Sequence, residues 1–68
     1  MISYQPLWKI IKERSISTYA LREKGGISGS TILRIQAGDS VSTNTLDALC
    51  KFLDCTLPDI VEYIPDEK

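Results

Sequence analysis

Apolar positions along this chain fall into one recurring frame. An apolar residue stands before Ser or Thr, and a second apolar residue follows five positions after the first. Ile16-Ser17 is answered by Leu21, Ile27-Ser28 by Ile32, Val41-Ser42 by Leu46, and Cys55-Thr56 by Ile60. This is the pattern of a helix N-cap with a hydrophobic staple. The hydroxyl satisfies an orphan backbone N–H, while the apolar pair fixes how the chain enters the helix. The pattern predicts helix starts near Ser17, Ser28, Ser42 and Thr56. At the last of these Asp59 adds a carboxylate to the first turn, where the helix dipole favours it.

An earlier helix is predicted near Pro6, since proline suits the first helical position. Its Leu7, Trp8, Ile10 and Ile11 imply a broad buried face. The second helix, "TYALREK", ends at Gly25-Gly26, where glycine can take the left-handed conformation that closes a helix. The third runs from residue 28 to 37 and stops at Gly38. The fourth, "TNTLDALCKFL", carries Leu46, Leu49, Cys50 and Leu53 at i, i+3, i+4 and i+7, the clearest amphipathic stripe in the chain. A short fifth helix is expected around Pro58 to Tyr63. "MISY" and "VEYI" are β-prone and compatible with two short paired terminal strands.

Sixty-eight residues bound the answer to one domain, 1–68. No apolar run approaches the roughly 18 residues of a spanning helix. "MISYQPLWKI" lacks the charged start and long apolar stretch of a signal peptide, so a cytoplasmic protein without a membrane partner is expected. Cys50 and Cys55 are the only cysteines, and there is no histidine. One chain therefore lacks the four ligands of a zinc site, and both cysteines read as small packing residues. Without a Gly-rich phosphate loop or a carboxylate pair held in a cleft, no enzyme and no cofactor are expected.

The net charge of −1 conceals an asymmetry. Residues 1–38 hold six basic against two acidic side chains, a net of +4; residues 39–68 hold two against seven, a net of −5. Such a split means either one face for a polyanion or solvated charge without a partner.

The short link "GGIS" forces the second and third helices to pack at a steep angle, the helix-turn-helix geometry. Ile27, Ile32 and Ile35 then face inward. Ser30, Leu33, Arg34 and Ala37 face outward, with Gly29 beside them at the N-terminal end. A helix end that enters a groove needs small residues, and Ser28, Gly29 and Ser30 are small. Their N–H groups and hydroxyls suit phosphate or base edges. Arg34 has the reach for a guanine or a phosphate. Leu33 is apolar on a polar face, which either a thymine methyl or a partner protein explains.

"STYALREKGGISGSTILRIQAG", residues 17–38, resembles the helix-turn-helix of the phage-repressor and Cro type, also called the XRE family. Leu21, Gly26, Ile27, Ser28, Ser30-Thr31-Ile32, Arg34-Ile35 and Gly38 carry the match. "VSTNTLDALCKFLDCTLPDIVEYI" resembles the family's fourth and fifth helices, and the likeness covers roughly residues 2–64. It implies an all-α, five-helix bundle of the lambda-repressor kind that binds double-stranded DNA as a transcriptional regulator; one copy offers few base contacts, so a homodimer on a near-palindromic site is expected. It implies phosphate contacts by Thr18 and Tyr19. Base-edge contacts fall to Ser28, Gly29, Ser30, Leu33 and Arg34, and further backbone contacts to Ser42, Thr43 and Asn44.

Against the family pattern, Arg22 stands where a small residue packs between the two helices. Gln36 replaces a frequent glutamate, and Gly29 replaces a position that often holds Arg, Lys or Gln. Asp39 is expected near the phosphate track. Trp8 suits core or interface packing. Lys9, Lys12 and Arg14 either solvate the first helix or meet phosphate. Dimer contacts are expected from Leu57, Val61, Tyr63 and Ile64. The competing expectation is a helix-turn-helix reused as a protein-interaction module, antitoxin-like or co-regulatory, which Gly29, Leu33 and Asp39 favour.

Overall fold

A computed structural model describes residues 1–66, so the last two positions of the expected 1–68 unit lie outside the described residues. In chain order the elements are β1 (Ile2–Ser3), α1 (Gln5–Glu13), α2 (Thr18–Glu23), α3 (Gly29–Ala37), α4 (Thr43–Leu53), a single 3-10 turn at Leu57–Asp59, and β2 (Glu62–Tyr63). The expected fifth helix is therefore a correction: four α-helices are present among the described residues, and the fifth segment is one turn. The reason is local. Buried Ile60 already closes that turn, its N–H donating to the Leu57 carbonyl at 3.0 Å. Three residues later the chain is already paired in β2.

The terminal strands do pair. β1 and β2 are antiparallel, with Ile2 opposite Tyr63 and Ser3 opposite Glu62. Reciprocal bonds between Met1 and Ile64 extend the ladder by one pair. This ribbon ties the two ends of the helical body together.

Three of the four predicted hydroxyl caps close as the sequence implies. Ser17, Ser28 and Ser42 sit in extended backbone and accept from the N–H groups of Ala20, Thr31 and Thr45. Loss of one such cap typically costs about 0.5–2 kcal/mol. At Thr56 the roles differ. The Asp59 carboxylate accepts from both the Thr56 N–H (3.0 Å) and its hydroxyl (2.9 Å), so the acid does the capping.

The core is built from the inward side of every helix. Leu7 and Ile11 of α1, Leu21 of α2, Ile27 of the turn, Ile32 and Ile35 of α3, Leu49 and Leu53 of α4, and Ile60 are buried with Tyr4. Leu46 and Cys50 complete the α4 stripe as half-buried residues, and Trp8 packs at the rim of the same cluster. Truncating Leu7, Leu21 or Leu49 to alanine would cost about 2–5 kcal/mol, a large share of what so small a core supplies.

Two long-range polar bonds hold the helices in place. The Tyr4 hydroxyl donates to the Asp39 carbonyl at 2.6 Å, fixing the loop that follows α3. Arg14 donates to the Leu53 carbonyl at the C-terminal end of α4. That arginine was expected to solvate its helix or to meet phosphate, and its head group is spent on a helix end.

Candidate nucleic-acid interface

α2 packs on α3, and the turn between them keeps the N-terminal end of α3 uncovered. Ser28 and Ser30 are exposed and Gly29 is half-buried. The Ser28 hydroxyl accepts the Thr31 N–H at 3.2 Å and donates to the Thr31 hydroxyl at 2.8 Å. Its proton is thereby committed, so Ser30 is the donor across the 3.3 Å contact between the two serines. The Thr31 hydroxyl keeps its own proton for an outside acceptor.

The outward face of α3 is as its spacing predicts. Ser30, Leu33, Arg34 and Ala37 are exposed, while Ile32 and Ile35 are buried. Leu33 is 65% exposed, the largest apolar exposure on this helix. Arg34 lines a cleft between α3 and α4 with Thr31, Ser40, Val41, Ser42 and Thr45. One guanidinium among four hydroxyls, with no carboxylate on the lining, suits a phosphate oxygen. Asp39, expected close to such a track, is absent from this lining; its backbone N–H donates to the Arg34 carbonyl at 2.8 Å and its carbonyl accepts from Tyr4.

Beyond that cleft, α4 presents its own N-terminal turn. The Ser42 hydroxyl caps it by accepting the Thr45 N–H at 3.3 Å, and Thr43 and Asn44 are exposed. Asn44 shares a second cleft with Ser28, Thr31 and Thr45, which joins the starts of α3 and α4. Ser40, Thr31 and Thr45 were not among the DNA contacts expected from the sequence. The density of hydroxyls in "SVSTNT" was the signal that marked two of them.

On the other side, Thr18 and Tyr19 occupy the first turn of α2, both exposed, Tyr19 by 63%. A third cleft joins Thr18 and Arg22 of α2 to Gly29, Leu33 and Gln36 of α3. Arg22 does not wedge between the helices. Its stem lies across Gly29, and its guanidinium sits over the Tyr19 ring at 5.8 Å while Nε lies 3.5 Å from the Glu23 carboxylate. At this exposure each contact contributes at most about 1 kcal/mol.

Of the residues singled out from the sequence, Arg34 and Ser42 line the first cleft, Ser28 and Asn44 the second, and Thr18, Gly29 and Leu33 the third, whereas Tyr19, Ser30 and Thr43 are exposed but line none of the three. No helix among the described residues is long and apolar enough to cross a membrane. Both cysteines carry free thiols toward the C-terminal end of α4. Burial, with help from neighbouring Cys50, pushes the Cys55 thiol up, which keeps it protonated.

Comparison with known proteins agrees with this geometry. The family model of the Cro/C1-type helix-turn-helix DNA-binding domain matches residues 6–66. The chain is 35% identical over 60 residues to the uncharacterized HTH-type transcriptional regulator YozG of Bacillus subtilis (strain 168), covering 85% of this chain and 71% of that one. It is similar in structure to the transcriptional regulator VanUg, with a TM-score of 0.87 and 37% identity over 96% of this chain and 87% of the other. With its capped turn, exposed third helix and terminal ribbon, the chain belongs to the Cro/C1-type helix-turn-helix DNA-binding domain family.

Proposed function

We propose that this protein is a sequence-specific transcriptional regulator of the cytoplasm, a single domain that reads double-stranded DNA through the major groove with α3. The observation that carries this reading is the uncovered N-terminal end of α3, small in side chain and flanked on both sides by hydroxyl-rich turns. Ser28, Gly29 and Ser30 let the backbone approach base edges, and Leu33 and Arg34 follow along the groove. Thr18 and Tyr19 on one side and Ser42, Thr43 and Asn44 on the other hold the two phosphate strands. The chemistry asked of the chain is binding alone.

One copy offers few base contacts, so useful specificity calls for two copies on a near-palindromic site. Leu57, Tyr63 and Ile64 are exposed and Val61 is half-buried, which supports a second copy docking near the C-terminal turn and ribbon. Selection of bound duplexes from random DNA, with solution mass measured on the same preparation, tests both parts. The reading expects an enriched motif with inverted symmetry and a dimer on that motif; recovery of unenriched sequence contradicts it.

A second reading rests on Leu33, whose exposure would also suit a protein partner. Salt separates the two. Affinity carried by several phosphates falls steeply as salt rises, whereas a Leu33-centred protein contact is much less sensitive.

A further inference from the structure

Gly29, in the first turn of α3, presents no side chain on the face that the preceding reading turns toward DNA. A Cβ built there would meet one side-chain atom within 4 Å, the Cδ of Arg22 at 3.9 Å. The Arg22 stem therefore runs beside the open space at residue 29, at ordinary van der Waals distance, and its guanidinium rests between the Tyr19 ring and the Glu23 carboxylate. It shares the cleft with Thr18, Leu33 and Gln36, on the face that the preceding reading turns toward DNA.

Nothing strong holds the guanidinium where it rests. Its side chain is 53% exposed, its neighbour in charge is the equally exposed Glu23 carboxylate, and the Tyr19 ring lies 5.8 Å away. The guanidinium is a planar fork of N–H donors. That fork matches the O6 and N7 acceptors of guanine.

Resting on the DNA-binding reading above, we propose that Arg22, on α2, is a base-reading residue of this protein: it reaches across Gly29 and donates both fork N–H groups to a guanine edge in each half-site. Arg22 and Gly29 act as one unit, the arginine supplying from the scaffold helix the contact that the glycine leaves unmade on α3.

The test is a set of binding titrations of the full chain and its Arg22→Lys and Arg22→Ala variants, each first checked for native helix content by circular dichroism. The duplexes are the one selected by the unmodified chain and a series with each base pair replaced in turn. Arg22→Ala should weaken binding to the selected duplex by roughly tenfold to a hundredfold and erase the preference for guanine at one symmetric position. On duplexes already lacking that guanine it should change affinity less than about twofold. Arg22→Lys should keep the salt dependence but lose most of the discrimination at that position, since lysine lacks the fork. Uniform weakening on every duplex, restored by lysine, would make Arg22 a phosphate contact and overturn the proposal. So would an unchanged preference in Arg22→Ala, while leaving the regulator reading intact. Failure of the unmodified chain to select any motif would overturn both.

Discussion

Gly25 and Gly26 answer two different demands on adjacent residues. A Cβ on Gly25 would lie 2.7 Å from the Leu21 carbonyl oxygen and 3.2 Å from the Phe52 ring. Gly26 has open space around it but a φ of +72°, in the left-handed region. Alanine at 26 should therefore cost about 1–2 kcal/mol by backbone strain, and asparagine less, because its side chain tolerates that region. At 25 asparagine should be no better than alanine, since the obstacle is backbone and not torsion. Urea unfolding of the four variants measures both contrasts. Arg34 belongs to the same scale: Arg34→Ala should lower DNA affinity by about 1–3 kcal/mol if the guanidinium reads a base, and a titration with unchanged affinity and preference rejects that role. The three serine caps were legible in the sequence because each cap bond joins residues three positions apart. The crowding of Gly25 by Phe52 and the path of Arg22 over Gly29 were not, since each joins helices that only the fold brings together.

At the scale of elements, local signals named the four helix starts but not the length of the last. Pro58 and Asp59 mark a helix beginning, and they do open a turn; pairing of Glu62–Tyr63 with Ile2–Ser3 ends it at once. A partner 60 residues away in sequence leaves no mark on the local pattern. The turn also makes a prediction about acid. Hydrogen bonds from the Thr56 N–H and hydroxyl hold the Asp59 carboxyl below its ordinary range. A depressed folded-state value contributes stability that is fully present above the ordinary aspartate range, near pH 4, and is lost as pH falls through the lowered value. The gap in melting temperature between the unmodified chain and Asp59→Ala should accordingly narrow as pH drops from about 5 to below 3. A gap that stays constant would mean that the carboxylate contributes nothing through its charge.

For the molecule as a whole, the basic-then-acidic division of the sequence is not a division of the surface. Ser42, Thr43 and Asn44 open the acidic half, yet they stand beside Thr31 and Arg34 of the basic half in the clefts between α3 and α4. Arg14 is spent on the end of α4, and Asp47 is paired with Lys51 at 3.1 Å. The resemblance named both flanks in advance, Thr18 and Tyr19 on one and Ser42, Thr43 and Asn44 on the other; the packing of α4 adds the clefts that join its start to α3. Steering by net charge should be weak for a chain at −1, with local hydroxyls and arginines providing the hold. The dissociation constant for the selected duplex should still rise steeply between about 50 and 200 mM salt, by roughly a decade or more if several phosphates are held.

The central claim is that the first turn of α3 lies in the major groove. Backbone amide resonances followed by NMR during titration with the selected duplex test it most directly. The largest shifts should cluster at residues 28–34, with a second set at 18–19 and 42–44, while the terminal ribbon and the 3-10 turn change only as a second copy arrives. Shifts confined to the ribbon, or to Leu33 without its neighbours at 28–30, would contradict the account.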